Sequence, residues 1–177
     1  MIATQPKSTK NLDGYGFPPI EFDRAVAALD SIAPMPPTEA AGRYWLATVR
    51  PDGRPHVMPV GILWHDRAFY FSAGAGTQKA KNMARDPRCI ITIAAPGLDI
   101  VAEGAAARVT DEAKVQRLAD AFGAAGGWHP TVKDAAFWHE YSAPSAGPPP
   151  WDVYEITPTT VYAVASGEPH GATRWRL

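Results

Sequence analysis

The chain has 177 residues, a formal net charge of -1, and 46% apolar against 20% charged residues: enough for one domain with its own core, and too apolar for global disorder. That balance gives no electrostatic case for nucleic acid or an anionic membrane surface, and no run reaches the roughly 18 apolar residues of a membrane span. A single cysteine, Cys89, excludes an intrachain disulfide, and the N-terminus lacks the apolar core of a secretion signal, so a soluble cytoplasmic protein is expected.

Residues 1–20 are rich in Pro, Gly and polar groups and read as a flexible arm ahead of a single domain, 21–177. Phe22, Val26 and Leu29 have helical spacing within Glu21–Ile32, and Pro34, Pro36 and Pro37 end that helix. Strands follow. Tyr44–Val49 leads through the turn Pro51-Asp52-Gly53-Arg54-Pro55 into the return strand His56–Trp64. Pro59 lacks a ladder donor, so it marks an edge or a bulge. His65-Asp66-Arg67 turns into the strand Ala68–Ser72, and Thr77–Arg85 is a short helix. Arg88–Ala94 and Asp99–Thr110 are strands around Pro96-Gly97. Val115, Leu118 and Phe122 make Asp111–Phe122 a helix, broken by Gly123–Gly127. Val132–Tyr141 reads as a second short helix, Pro144–Pro150 as a loop, and Trp151–Thr157 and Thr160–Ala165 as closing strands. Hairpins with few crossover helices predict a barrel and not a doubly wound sheet.

The stretch Phe69–Lys79 carries the chemistry. An aromatic strand enters a small turn holding Gly74 and Gly76, and Thr77 stands as a helix N-cap with Lys79 and Lys81 behind it. A helix N-terminus offers unpaired N–H groups and partial positive charge, which suits an anion, and glycine lets a ligand approach the backbone. Lys79 and Lys81 are each either anion contacts or solvated helix lysines, and Arg85 and Arg88 serve either a salt bridge around Asp86-Pro87 or a ligand. Cys89 opens an apolar run and reads as a core thiol. The five histidines show no metal-ligand spacing, and no nucleophile elbow or dinucleotide fingerprint is present. No catalytic side chain is assigned and no metal is expected.

Taken in order, the strand with Thr48, the Asp52-Gly53 turn, the return strand, the aromatic strand ending at Ser72, Lys79-Ala80-Lys81-Asn82 and Asp86-Pro87-Arg88 resemble the pyridoxamine 5'-phosphate oxidase-like superfamily, over about residues 40–110. The resemblance implies a mainly β chain with a few helices (α+β): a six-stranded antiparallel split β-barrel of the FMN-binding type, forming a homodimer with the cofactor site at the interface. It places His56, Val57, Met58, Pro59 and Val60 beside the ring system of FMN or of the deazaflavin coenzyme F-420. It puts Ser72 and Ala73 under the phosphate, Thr77, Gln78 and Lys79 around it, and Arg174, Trp175 and Arg176 near the flavin. Gln78 stands where the oxidases proper usually carry Arg, and with the Lys-x-x-Asn run this tilts the resemblance toward F-420. The residues that hold the vitamin B6 phosphate are not recognisable, so the resemblance does not extend to B6 oxidation. It implies hydride transfer to or from a small conjugated organic molecule, or, as the alternative, a non-catalytic flavin- or haem-binding sensor on the same barrel. On this reading Lys79→Ala weakens cofactor binding and leaves apo-protein stability nearly unchanged, with Lys114→Ala as a neutral control.

Overall fold

The protein is described by a computed structural model covering residues 5–32, 44–126, 128–142 and 145–177. The prolines expected to stop the first helix, Pro34, Pro36 and Pro37, lie outside them. The barrel is built from β2 (Tyr44–Val49), β3 (Pro55–Pro59), β5 (Ala68–Ala73), β6 (Arg88–Ala95), β7 (Leu98–Arg108) and β10 (Trp151–Ala165). Short strands extend it: β1 (Ser8–Asn11), β4 (Leu63–His65), β8 (Thr131–Lys133), β9 (Ala136–Trp138) and β11 (Ala172–Arg176). Every described pairing is antiparallel. The sheet runs β1-β11-β10-β7-β6-β2-β3, with β5 and β9 also pairing with β10. The helices are α1 (Phe22–Asp30), α2 (Gln78–Arg85) and α3 (Glu112–Gly126).

The alternation of side chains along the strands explains the two cores. Phe69 and Phe71 of β5 point into the barrel with Leu46, Ile91, Ile93, Ile100 and Ile156. Tyr70, between them, points the other way, into a second cluster with Val115, Leu118 and Phe122 of α3 and Phe137, Trp151 and Val153. A strand buried on both faces reads as a continuous apolar run, which is what Ala68–Phe71 shows. Cys89 faces the barrel interior, and burial pushes its thiol up to about 12, so it stays protonated and inert.

Several elements differ from the sequence expectation. Val132–Tyr141 contains no helix: β8 and β9 form a hairpin whose two turn residues, Asp134 and Ala135, both have φ of 54°. Two consecutive positive φ values make a turn whose twist matches a hairpin, and it places Phe137 fully inside the second cluster. Asp66 and Arg67, at 48° and 62°, make the same turn between β4 and β5. α3 runs on through Gly123, and the ring of His129 lies against that glycine, where any Cβ would collide with Nδ1. The return strand His56–Trp64 divides into β3 and β4, and β3, carrying Pro59, is the sheet's terminal strand as its proline predicts. The two closing strands are one, β10, whose register against β7 shifts between Pro158 and Thr160. Residues 8–11 of the expected arm are a strand. β1 pairs with β11, and the Lys7 and Leu12 amides donate to the Arg176 and Ala172 carbonyls at 2.7 and 2.8 Å. Such pairing covers an edge that β11 would otherwise expose.

Candidate functional site

β5 ends at Ala73 and the chain turns through Gly74–Thr77 into α2, which packs on β2 beside the edge strand β3. Thr77 is the N-cap, as expected. Its hydroxyl donates to the Gly74 carbonyl at 2.8 Å and accepts from the Ala80 amide at 3.4 Å. The amides of Gln78 and Lys79, in the first turn, have no intrahelical acceptor. A cleft of about 470 Å³ opens here, between Gly74–Thr77 on one side and Ala146–Pro148 and Pro150 on the other. That volume lies within the ordinary range for small-ligand sites, roughly 300–1,000 Å³.

Lys79 is not a solvated helix lysine. It is 3% exposed, and its ammonium donates to the Ser145 carbonyl. No carboxylate pairs with it among the described residues. Burial without a counter-ion pushes its pKa down to about 8. Lys81, two residues further, is exposed.

A chain of polar side chains runs from the start of α2 to the edge strand. The Gln78 amide donates to Asn82 Oδ1 at 2.8 Å, and Asn82 Nδ2 donates to Thr48 Oγ1 at 2.9 Å. Thr48 Oγ1 lies 3.4 Å from both Nδ1 and the carbonyl of His56. Asn82 and Thr48 are 1% and 2% exposed, so these bonds are made away from water. Desolvation lowers the His56 pKa, with the cations Arg50 and Lys79 adding to it, so the imidazole is neutral at pH 7. Thr48 and Asn82 hold the strand and helix segments together, yet sequence reasoning assigned neither a role. Both stand in the motif series that carries the family resemblance, Thr48 in its strand and Asn82 at the end of Lys-x-x-Asn, and the four-residue spacing from Gln78 to Asn82 is the local signal for their bond.

The candidate residues separate into groups. Thr77, Gln78 and Lys79 meet at the start of α2, and the network brings His56 to them. Residues 56–59 do not share a face. The pairing of β2 with β3 puts Val57 and Pro59 outward beside Ala47 and Trp45, and His56 and Met58 on the side of Thr48 and Leu46. Val60 and Ala73 are buried, at 3% and 0% exposed, and Ser72 is half-buried. Gly74 is filled by the protein itself, since a Cβ there would stand 2.7 Å from the Ala146 carbonyl oxygen. Arg174, Trp175 and Arg176 lie on β11, with β10, β7, β6 and β2 between them and β3 along the sheet, so one chain does not bring them to His56 through its strand pairing. Trp175 is 1% exposed and packs edge-to-face on Phe22 in the barrel core, so capping a cofactor would take it out of that core. Arg85 and Arg88 take structural roles: Arg85 donates to the Val49 and Arg50 carbonyls, and Arg88 pairs with Asp86 at 2.6 Å. Among the described residues no group of three metal-ligating side chains occurs, and no helix is long and apolar enough to cross a membrane.

The profile of the family described as pyridoxamine 5'-phosphate oxidase matches residues 38–165. No curated protein matches the chain. Among solved structures, a pyridoxamine 5'-phosphate oxidase-related, FMN binding protein from Nostoc punctiforme is 21% identical, with 85% of this chain and 88% of that one covered at a TM-score of 0.52. A conserved hypothetical protein from Mycobacterium tuberculosis is 18% identical, covering 93% and 89% at 0.58. A NimC/NimA family protein from Clostridium acetobutylicum is 17% identical, covering 85% and 91% at 0.53. At these identities the solved structures speak for the fold.

Proposed function

The chain belongs to the pyridoxamine 5'-phosphate oxidase family, and from that membership we propose that it is a flavin- or deazaflavin-dependent oxidoreductase acting on a small conjugated organic substrate. The observation that supports this best is Lys79: a buried ammonium with no carboxylate partner among the described residues, at a helix N-terminus, beside a cleft of ligand size. A buried cation of this kind is costly unless something anionic joins it. A cofactor phosphate fits that need, so the residues present suit the group.

Bound there, such a cofactor supplies hydride transfer; the chain's own residues position it. Lys79 and the first-turn amides of α2 hold the phosphate. His56 and Met58 line the ring, and the neutral imidazole offers a hydrogen bond without adding charge. Within this reading F-420 is favoured over FMN. Its phosphate is a diester with one negative charge, whereas the monoester of FMN approaches two at pH 7, and Gln78 brings no second cation. Titration of the apo-protein with FMN and with F-420 tests the reading. Submillimolar binding of either is expected, and none below the millimolar range for both would end it. Binding without turnover on a broad panel of reducible substrates would favour the sensor alternative.

Affinity is expected to fall with pH from about 8. In the free protein Lys79 titrates near 8, against 10.5 for an ordinary lysine, and a bound anion favours its protonated form. Binding is therefore at full strength below pH 8 and weakens, up to about tenfold per unit, above it. Affinity constant up to pH 10 would show that Lys79 is not the phosphate ligand.

The active form is a homodimer on this reading. Trp45, Ala47, Val57 and Pro59 form an outward apolar patch at the β2–β3 edge, with Trp45 and Val57 39% and 49% exposed. A second copy covering that edge would complete a site that strand pairing within one chain leaves divided between β3 and β11. Light scattering at micromolar concentration is expected to give twice 19.0 kDa; a clean monomer would rule out the shared site.

A further inference from the structure

Two donors at the anion cradle, the Lys79 ammonium and the Gly74 amide, already have acceptors, and both acceptors come from one segment, residues 145–150. The Lys79 ammonium donates to the Ser145 carbonyl. The Gly74 amide donates to the Ala146 carbonyl at 2.8 Å. Gly147, at φ of 75°, lies over the Thr77 methyl, and the Trp151 indole N–H pins its carbonyl at 2.8 Å. Gly74 is what permits the approach. Any side chain there would meet the Ala146 carbonyl oxygen at 2.7 Å and that of Pro148 at 3.3 Å.

We propose that residues 145–150 are an autoinhibitory strap: its backbone carbonyls stand in for phosphate oxygens on Lys79 and Gly74, and cofactor binding displaces it. This rests on the cofactor reading above. A neutral carbonyl is a weaker partner for an ammonium than an anion is, so the strap holds the cradle in the free protein and gives way to a phosphate. It also shields the buried ammonium until the cofactor arrives. The exchange predicts two-step binding, with strap release limiting the rate at high ligand concentration.

The experiment is stopped-flow binding of FMN and of F-420 to wild type, Trp151→Phe and Lys79→Met, with amide hydrogen exchange at Gly74. Trp151→Phe keeps most of the ring and removes the pin on Gly147. Expected are an observed rate that saturates with ligand in wild type, a several-fold higher plateau and several-fold tighter binding in Trp151→Phe, and faster Gly74 exchange in that variant without ligand. Should Trp151→Phe fail to fold, Pro148→Gly loosens the same segment from its exposed side. A wild-type rate linear in ligand to millimolar concentration, or a loosened variant with faster Gly74 exchange and unchanged binding, overturns the strap. If that occurs while Lys79→Met still binds at least tenfold more weakly than wild type, the strap fails and the cofactor reading stands. No binding of either cofactor to wild type or to the loosened variant overturns both.

Discussion

Lys79→Met is expected to raise the melting temperature of the ligand-free protein and to weaken cofactor binding ten- to hundredfold. The two effects share one cause. Lys79 is 3% exposed, and burial lowers its pKa from 10.5 to about 8. That drop corresponds to roughly 3 kcal/mol charged against folding at pH 7. Methionine keeps an unbranched stem of similar length and removes the charge, while the bond to the Ser145 carbonyl, worth about 1 kcal/mol, is lost. The net gain of about 2 kcal/mol is a rise of about 4–8 °C for a domain of this size. The unfolded chain binds the proton more tightly, so the gain is largest below pH 8, shrinks above it and is gone before pH 10.5, where only the lost bond remains. The binding loss follows from removing a charge-assisted hydrogen bond of about 1.5–3 kcal/mol. Stability unaffected by Lys79 was the expectation from sequence, which read it as a phosphate ligand with nothing to hold in the free protein; its burial reverses that. Lys114 is not a neutral control either. Its ammonium donates to Glu155 at 2.6 Å and lies 5.4 Å from the centre of the Tyr70 ring. Lys133→Ala, exposed on the β8–β9 hairpin, serves better. Thermal scans and cofactor titration at pH 7 and pH 10 check both effects; a lower melting temperature at pH 7, or unchanged affinity, would contradict this account.

What was legible in the sequence was what local pattern encodes. Alternation and the Asp52-Gly53 turn gave the meander, Thr77 gave the start of α2, and Pro59 gave the sheet edge. The β8–β9 hairpin was hidden because Asp134-Ala135 adopts a turn usually signalled by Asn-Gly or Asp-Gly, while the surrounding apolar residues mimic helical spacing. Trp175 looked like a lone aromatic in a basic tail because nothing local announces that β1, more than 160 residues earlier, covers its strand. The site was legible in parts and not as a whole. Thr48 and Asn82 are 34 residues apart, and Lys79 and Ser145 are 66 apart. Contacts at such separations are set by the barrel's closure, and no short window contains them.

The longest-range of the site's bonds between two side chains, Asn82 to Thr48, sets the second large effect: Asn82→Ala is expected to cost about 2–4 kcal/mol of stability. Asn82 is 1% exposed and spends its amide on two partners, accepting from Gln78 and donating to Thr48. Each bond is worth about 1 kcal/mol, and truncation also leaves the Thr48 hydroxyl, itself 2% exposed, with only its 3.4 Å contacts to His56, and opens a small cavity. Thr48→Val alone should cost about 1–3 kcal/mol for the matching reason, an Asn82 amide without its acceptor. The pair Thr48→Val with Asn82→Ala removes both polar groups at once, so its cost should fall below the sum of the single changes by about 1 kcal/mol or more. Urea denaturation of the three variants measures this directly, and additive costs would mean that the 2.9 Å contact carries no coupling. Cofactor affinity separates the roles. Asn82 joins α2 to the strand beside His56, so Asn82→Ala should lower stability and affinity together, the mark of a residue that positions the site from behind. Lys79→Met should move the two in opposite directions, because a residue that binds the ligand itself is held at the expense of the empty protein's stability.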